Sequence, residues 1–219
     1  MKKLTDGMWR DWSWTNDKKI EKTLKTEVPL IIDTYPYHES LNPKLVEDAL
    51  SAPYPLSYET NVKAEMTNWN VTSPNIEKLK TWISSLVHTY HTITQKGYKV
   101  FFKDLWFALY GKGDFAIPHS HIMSWMSFVY FIKCPKGSSP LILSGKRIKA
   151  EEGKIVIFPG TVNHWVHKNK CEGRIVIAGN LFLCPNITEQ YDLHRGVTLS
   201  SQLRRIGQTA EPVDKDIDL

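Results

Sequence analysis

Three histidines are the residues whose type and spacing are most suggestive of chemistry. His119 and His121 are separated by one residue, and His164 follows 43 residues later. On a β-strand, residues i and i+2 point to the same face, so both rings can reach one point. A hairpin-rich chain can bring His164 back to that point. Three imidazoles on one side of a metal leave its other positions open, as catalytic sites do. The chain has eight histidines, so a chance pair is the alternative.

Arg174 is the second feature, ten residues after His164 and at the start of an apolar strand. Strand alternation predicts that Arg174, Val176, Ala178 and Asn180 share one face. A buried guanidinium requires an anionic partner, and its planar fork suits a carboxylate. The alternative is a surface arginine at the start of a strand, after Glu172-Gly173.

The elements that position these residues are mostly strands. From Tyr98 onward, short runs of β-branched and aromatic residues are separated by turns that contain Gly or Pro. This pattern predicts a mainly β domain, a sandwich or barrel, with helices packed on an outer face. One helix is predicted near 43–51, with Asn42 as its N-cap, and a longer one near 74–94, capped by Ser73.

Length and composition narrow the class of protein. The chain has 219 residues, 42% of them hydrophobic and 23% charged, which suits one folded domain and excludes a disordered or coiled-coil protein. We expect an arm over 1–27, a main domain over 28–185 and a partly mobile extension over 186–219. The net charge of +5 is scattered, so no nucleic-acid partner is expected. Neither a signal peptide nor a membrane-length apolar run is present, which predicts a cytoplasmic protein without membrane contact.

The order of motifs resembles a known family. His-x-His, then Glu152-Gly153 with Phe158-Pro159, then His164 and Arg174, is similar to the iron(II)- and 2-oxoglutarate-dependent oxygenases. The similarity is greatest to a group encoded by phage and marine bacteria, which distantly resembles prolyl hydroxylases. The supporting motifs, over roughly 28 to 184, are Trp106, Gly113-Asp114, Ser127-Phe-Val-Tyr130-Phe131 and Asn180.

This resemblance implies a double-stranded β-helix, or cupin-like jelly roll. It further implies that His119, His121 and His164 hold Fe(II), which reacts with O2, and that Arg174 pairs with the distal carboxylate of 2-oxoglutarate. Tyr130 and Asn180 would hydrogen-bond the cosubstrate or its neighbours. The chain departs from the family at two positions. A histidine replaces the usual carboxylate ligand, and Val176 stands where a serine is common.

Several alternatives stay open on the sequence alone. One is a three-histidine cupin-type dioxygenase that does not use 2-oxoglutarate, and another is a non-catalytic module that binds a small carboxylate. Asp114 is a weaker candidate metal ligand. The substrate of an oxygenase would be a protein side chain, such as a prolyl group, or a small molecule. Exposed sheet edges would also allow a homodimer.

Overall fold

The computed structural model describes residues 30–91, 97–185, 191–192 and 197–198. The helices are α1 (His38–Ser51) and α2 (Pro74–Tyr90). The strands are β1 (Ile31–Thr34), β2 (Val62–Lys63), β3 (Glu65–Met66), β4 (Tyr98–Tyr110), β5 (Phe115–His119), β6 (Met126–Lys133), β7 (Leu141–Leu143), β8 (Lys146–Ile148), β9 (Lys154–Pro159), β10 (His164–Val166), β11 (Arg174–Pro185), β12 (Tyr191–Asp192) and β13 (Val197–Thr198). The predicted arm and most of the predicted extension lie outside the described residues.

Eight consecutive strands, β4 to β11, form a jelly roll. One sheet has the order β1-β9-β6-β11-β4-β3, and the other has the order β2-β5-β10-β7-β8. Within the eight, the first strand therefore pairs with the last, and the second pairs with the seventh. This is the double-stranded β-helix that the family resemblance implied, extended at its edges by β1, β2 and β3.

The core lies between the two sheets. It combines residues of the larger sheet, such as Trp106, Phe131 and Val176, with residues of the smaller one, such as Leu141 and Val166. Val176 and Ala178 both belong to this core, so the predicted alternation of β11 is confirmed. Each fully buried aliphatic or aromatic side chain contributes about 1.5–3 kcal/mol, which makes the sandwich a rigid support for the site.

Helix α1 begins earlier than the sequence indicated. It starts at His38, and Pro43 lies inside it, so the predicted N-cap role of Asn42 is wrong. Asn42 is instead 6% exposed, and its side chain donates to the carbonyl of Ile132 (2.8 Å) and accepts from the hydroxyl of Tyr130 (2.7 Å). These two bonds to β6 satisfy the buried amide and hold α1 on that strand.

Helix α2 agrees with its sequence signals. The hydroxyl of Ser73 accepts a hydrogen bond from the backbone of Ile76 (3.1 Å), which is the predicted cap. Apolar residues recur at helical spacing from Ile76 to Val87 and are buried, whereas Tyr90 at the end of the helix is 61% exposed. The helix ends at Tyr90, before the predicted limit, and residues 92–96 lie outside the described residues.

The chain divides into two compact units. The first comprises Met1–Lys80 and Phe102–Leu181, and it contains every candidate site residue discussed below. The second comprises Thr81–Phe101 and Phe182–Leu219, and within it β12 and β13 form an antiparallel pair. Neither described helix is both long enough and apolar enough to cross a lipid bilayer.

Candidate metal centre

Two histidines face each other across neighbouring strands of the smaller sheet. His119 is the last residue of β5 and His164 is the first residue of β10. The two strands are antiparallel, and these residues are direct partners in the register. Their ring centroids are consequently 4.3 Å apart. The hairpin return predicted from the sequence thus brings both imidazoles together.

His121 reaches the same place by another route. It lies beyond the end of β5, in the turn before β6, so it is not the second residue of a strand pair as predicted. Its backbone N–H donates to the carbonyl of Gly160 (2.7 Å), and its carbonyl accepts from Ser124 (2.8 Å). The first bond ties the turn to the residue that follows β9, and the second closes the turn itself. The His121 ring lies 5.1 Å from that of His119 and 5.2 Å from that of His164.

The three imidazoles have the arrangement of a metal-binding set. One ring nitrogen from each lies within 4.8 Å of the other two. Nδ1 of His119 is 2.7 Å from the carbonyl of Ile117, and Nδ1 of His164 is 3.0 Å from that of Val162. As each Nδ1 donates to a carbonyl, its proton is fixed there and the lone pair on Nε2 is left for a metal.

Burial keeps these rings neutral. It lowers the pKa of His164 to about 3, and the neighbouring His119 and His121 add to the effect. Burial also lowers the pKa of His121 to about 4, although Asp104 opposes the shift, and it lowers the pKa of His119. Neutral imidazole is the form that binds a metal, so the set is ready for one at neutral pH.

Arg174 lies in the same core. Its side chain is 1% exposed, and its guanidinium carbon lies 4.4 Å from the Tyr110 ring centroid and 5.6 Å from that of Phe131. Within the described part of the chain, its Nε and Nη1 have no hydrogen-bond partner. A buried charge with open donors is costly, so this position favours an anionic ligand.

The structure corrects the prediction for Tyr130. Its hydroxyl donates to Asn42 on α1, whereas Val129 and Phe131 face the core between the sheets. Alternation along β6 therefore places Tyr130 on the opposite face of the sheet from Arg174. Phe131, which has no hydroxyl, is the β6 residue beside the guanidinium.

Asn180 and a carboxylate that the sequence analysis missed lie beside the histidines. A cavity of 280 Å³ is lined by the following side chains: Thr60, Asn61, Val62, Met66, Trp69, Asp104, Trp106, His119, His121 and Asn180. Asn180 donates to Oδ2 of Asp104 (3.2 Å) and accepts from Ser127 (2.9 Å). Asp104 belongs to no motif. Its one sequence signal is that it shares a strand face with Trp106, Ala108 and Tyr110 of the core.

Asp114 is not part of this centre. Its carboxylate accepts from the hydroxyl of Tyr58 (3.1 Å) and from the backbone N–H of Gly111 (2.8 Å). It lines a different cavity, together with Glu65 and Glu172. The weaker prediction of Asp114 as a metal ligand is therefore wrong, because its carboxylate is used in the turn that follows β4.

Comparison with known proteins shows the same fold. No protein-family model and no curated protein matches the sequence. Among solved structures, a viral collagen prolyl hydroxylase from Paramecium bursaria Chlorella virus 1, in complex with 2-oxoglutarate, is similar with a TM-score of 0.57 and 13% identity. The match covers 69% of this chain and 94% of that one.

Two other solved structures support the comparison. A prolyl-4-hydroxylase from Pseudomonas putida has a TM-score of 0.56 and 15% identity, over 76% of this chain and 98% of its own. A prolyl hydroxylase from Trichoplax adhaerens, in complex with a peptide fragment of hypoxia inducible factor, has a TM-score of 0.52 and 13% identity, over 80% and 94%. At such identities the likeness establishes the jelly-roll fold.

Proposed function

We propose that this protein is a non-haem iron(II)- and 2-oxoglutarate-dependent oxygenase. The observation that carries the proposal is the convergence of three neutral imidazoles beside a core that also contains a buried arginine with open donors. The His164 ring contacts Phe158 at a centroid distance of 4.8 Å, and Phe158 belongs to the same core as Phe131 next to Arg174. Metal ligands and anion-binding group thus share one interior.

The residues present fit both groups. His119, His121 and His164 would hold the metal through neutral nitrogen atoms, and imidazole is a ligand suited to iron. Arg174 would hold the distal carboxylate of 2-oxoglutarate, because its Nε and Nη1 are donors without a partner among the described residues and a guanidinium pairs well with a carboxylate. When bound, iron and 2-oxoglutarate supply oxygen activation coupled to decarboxylation of the diacid to succinate.

The protein's own contribution is position and protection. Strands hold His119, His164 and Arg174, and the turn bonded to Gly160 holds His121, which is how a site keeps its geometry. The Tyr110 and Phe131 rings beside Arg174 lower the local dielectric and so strengthen its pairing with a carboxylate. The substrate is proposed to be a protein side chain, such as a prolyl group, or a small molecule. The peptide bound to the solved Trichoplax hydroxylase supports the first of these.

Turnover measurements test the proposal. Protein reconstituted with Fe(II) should convert 2-oxoglutarate to succinate in an oxygen-dependent reaction. His119→Ala and His164→Ala should abolish this conversion. His167→Ala is the matched control, because His167 is an exposed histidine three residues beyond His164. Succinate release that persists in both ligand variants would overturn the assignment.

A second candidate function is favoured by two features of the site. Among the described residues the ligand set contains three histidines and no carboxylate, and Arg174 does not line the cavity beside them. A dioxygenase that binds its substrate directly at the metal would need neither a carboxylate ligand nor an arginine for 2-oxoglutarate. Oxygen consumption with a substrate but without 2-oxoglutarate would identify this activity.

A further inference from the structure

The cavity beside the imidazoles has a charged wall that neither the metal nor 2-oxoglutarate accounts for. Among the described residues that line it, Asp104 is the one acidic side chain. The remaining lining side chains are two imidazoles, polar amides, a hydroxyl, apolar groups and two indoles. The lining thus offers a carboxylate without an ammonium or guanidinium group to neutralise it.

The Asp104 carboxylate is held in a fixed orientation. Ser127 donates to Oδ1 of Asn180 (2.9 Å), and Nδ2 of Asn180 donates to Oδ2 of Asp104 (3.2 Å). Ser127 and Asn180 are both at least nine-tenths buried, so this relay lies inside the protein. Among the described residues, no hydrogen bond reaches Oδ1 of Asp104. A half-buried carboxylate with an open oxygen gains free energy from a ligand that donates to it.

An aromatic wall accompanies the carboxylate. The backbone carbonyl of Trp69 accepts a hydrogen bond from Leu105 (2.8 Å), which fixes Trp69 next to the strand position of Asp104. The Trp69 side chain is 43% exposed and lines the cavity. The face of an indole attracts cations, and tryptophan does so better than tyrosine or phenylalanine.

We infer that this cavity is a subsite for a substrate that carries an alkylammonium group, such as a lysine side chain or a small primary amine. The ammonium group would donate to Oδ1 of Asp104 and lie against the Trp69 indole. A compact ammonium fits one open oxygen, whereas a guanidinium binds best to two, and Asn180 already occupies Oδ2. The inference rests on the proposed function only in that the bound amine would be the molecule that is oxidised.

Ligand binding can be measured without turnover. The probes are n-butylamine, its neutral counterpart 1-butanol, and butyrate, titrated into metal-free protein at pH 7 and followed by the NMR signals of the indole N–H groups. The metal-free form excludes direct coordination of the amine, and the titrations are repeated on Fe(II) protein with 2-oxoglutarate under nitrogen. We expect the amine to bind at least about 10-fold more tightly than the alcohol, and butyrate most weakly.

Two variants identify the groups responsible. Asp104→Asn should remove the preference for the amine, while Glu47→Gln, which removes an exposed carboxylate on α1, should retain it. Trp69→Leu alters a side chain that is 43% exposed and should weaken amine binding several-fold, so the inference stays testable if Asp104→Asn does not fold. Equal binding of amine and alcohol by the wild type, or an undiminished preference in Asp104→Asn, would overturn it. Either result is independent of whether succinate is formed.

Discussion

Gly160 is the point at which a single methyl group should disable the metal centre. A Cβ atom placed on Gly160 would lie 2.3 Å from the carbonyl oxygen of Ser124 and 2.5 Å from that of His121. Both are backbone atoms, so no side-chain rotation relieves the contact. Non-bonded heavy atoms prefer a separation of about 3.5 Å, so the turn that carries His121 must retreat by about 1 Å.

The displacement acts on one of three ligands. A site functions when its groups are held within about 0.5 Å of their required positions, so a shift of about 1 Å removes His121 from the set. The retreat also stretches the 2.7 Å hydrogen bond from His121 to the carbonyl of Gly160. We expect Gly160→Ala to weaken metal binding about 10- to 100-fold, the range seen when the support of a ligand is lost. Overpacking should also cost about 1–3 kcal/mol of stability.

A competitive titration measures this effect. Co(II) is added to wild type and variant in the presence of a chelating indicator, and unfolding in urea gives the stability of each. Gly111→Ala is the matched control, because its Cβ would meet the flexible carboxylate of Glu172 at 2.9 Å and not the backbone. That variant should bind Co(II) as the wild type does. If Gly160→Ala also bound Co(II) with wild-type affinity, Gly160 would not be the support of His121 and the reasoning would fail.

Three further predictions concern the groups around the centre. Arg174→Met should raise the 2-oxoglutarate concentration required for turnover about 10- to 100-fold, because the charged partner of the carboxylate is lost. Co(II) affinity and stability should not fall, because the variant replaces a buried charge that has no counter-ion. An unchanged requirement for 2-oxoglutarate would exclude Arg174 from cosubstrate binding. Tyr130→Phe should cost about 1–2 kcal/mol in urea unfolding, since Asn42 loses its donor, yet leave the 2-oxoglutarate requirement unchanged; an altered requirement would return Tyr130 to the site. Burial lowers the pKa of His164 to about 3 from its unfolded value of 6.5, so its contribution to the stability of the metal-free protein is complete above pH 6.5 and is lost as the pH falls towards 3. Between pH 6.5 and pH 5 the free energy of unfolding in urea should therefore fall more steeply with pH for wild type than for His164→Asn, by up to about 1.4 kcal/mol per pH unit. Equal pH slopes of the two proteins would contradict the burial of a neutral His164.

The parts of the fold that could be predicted are those with local signals. Short runs of β-branched and aromatic residues between Gly and Pro turns indicated a β sandwich or barrel, which the family resemblance narrowed to a jelly roll. Ser73 with Pro74 marked the start of α2. The start of α1 is not determined by residues close to it in the sequence. Asn42 has the side chain of an N-cap, but its hydrogen bonds to Ile132 and Tyr130 on β6 override that preference.

The site residues also fall into those that could be predicted from the sequence and those that could not. The meeting of His119 and His164 could be predicted from the resemblance and from the return of a hairpin-rich chain, and the structure shows that they are register partners. The position of the His121 ring could not be predicted, because it depends on a turn that is hydrogen-bonded to Gly160, 39 residues away. The role of Tyr130 was mistaken because alternation along β6 does not by itself tell which face meets the second sheet. Asp104 was missed because a lone carboxylate among 23 acidic residues has no spacing to mark it.

Anaerobic titration of the Fe(II) protein with 2-oxoglutarate tests the central claim most directly. If His119, His121 and His164 hold the iron and Arg174 anchors the diacid, a visible metal-to-ligand charge-transfer band should grow and saturate with one equivalent bound. His164→Ala should show no band, and Arg174→Met should need far more 2-oxoglutarate to develop it. Iron that is bound by the wild type, yet shows no band at any concentration of 2-oxoglutarate, would contradict the account.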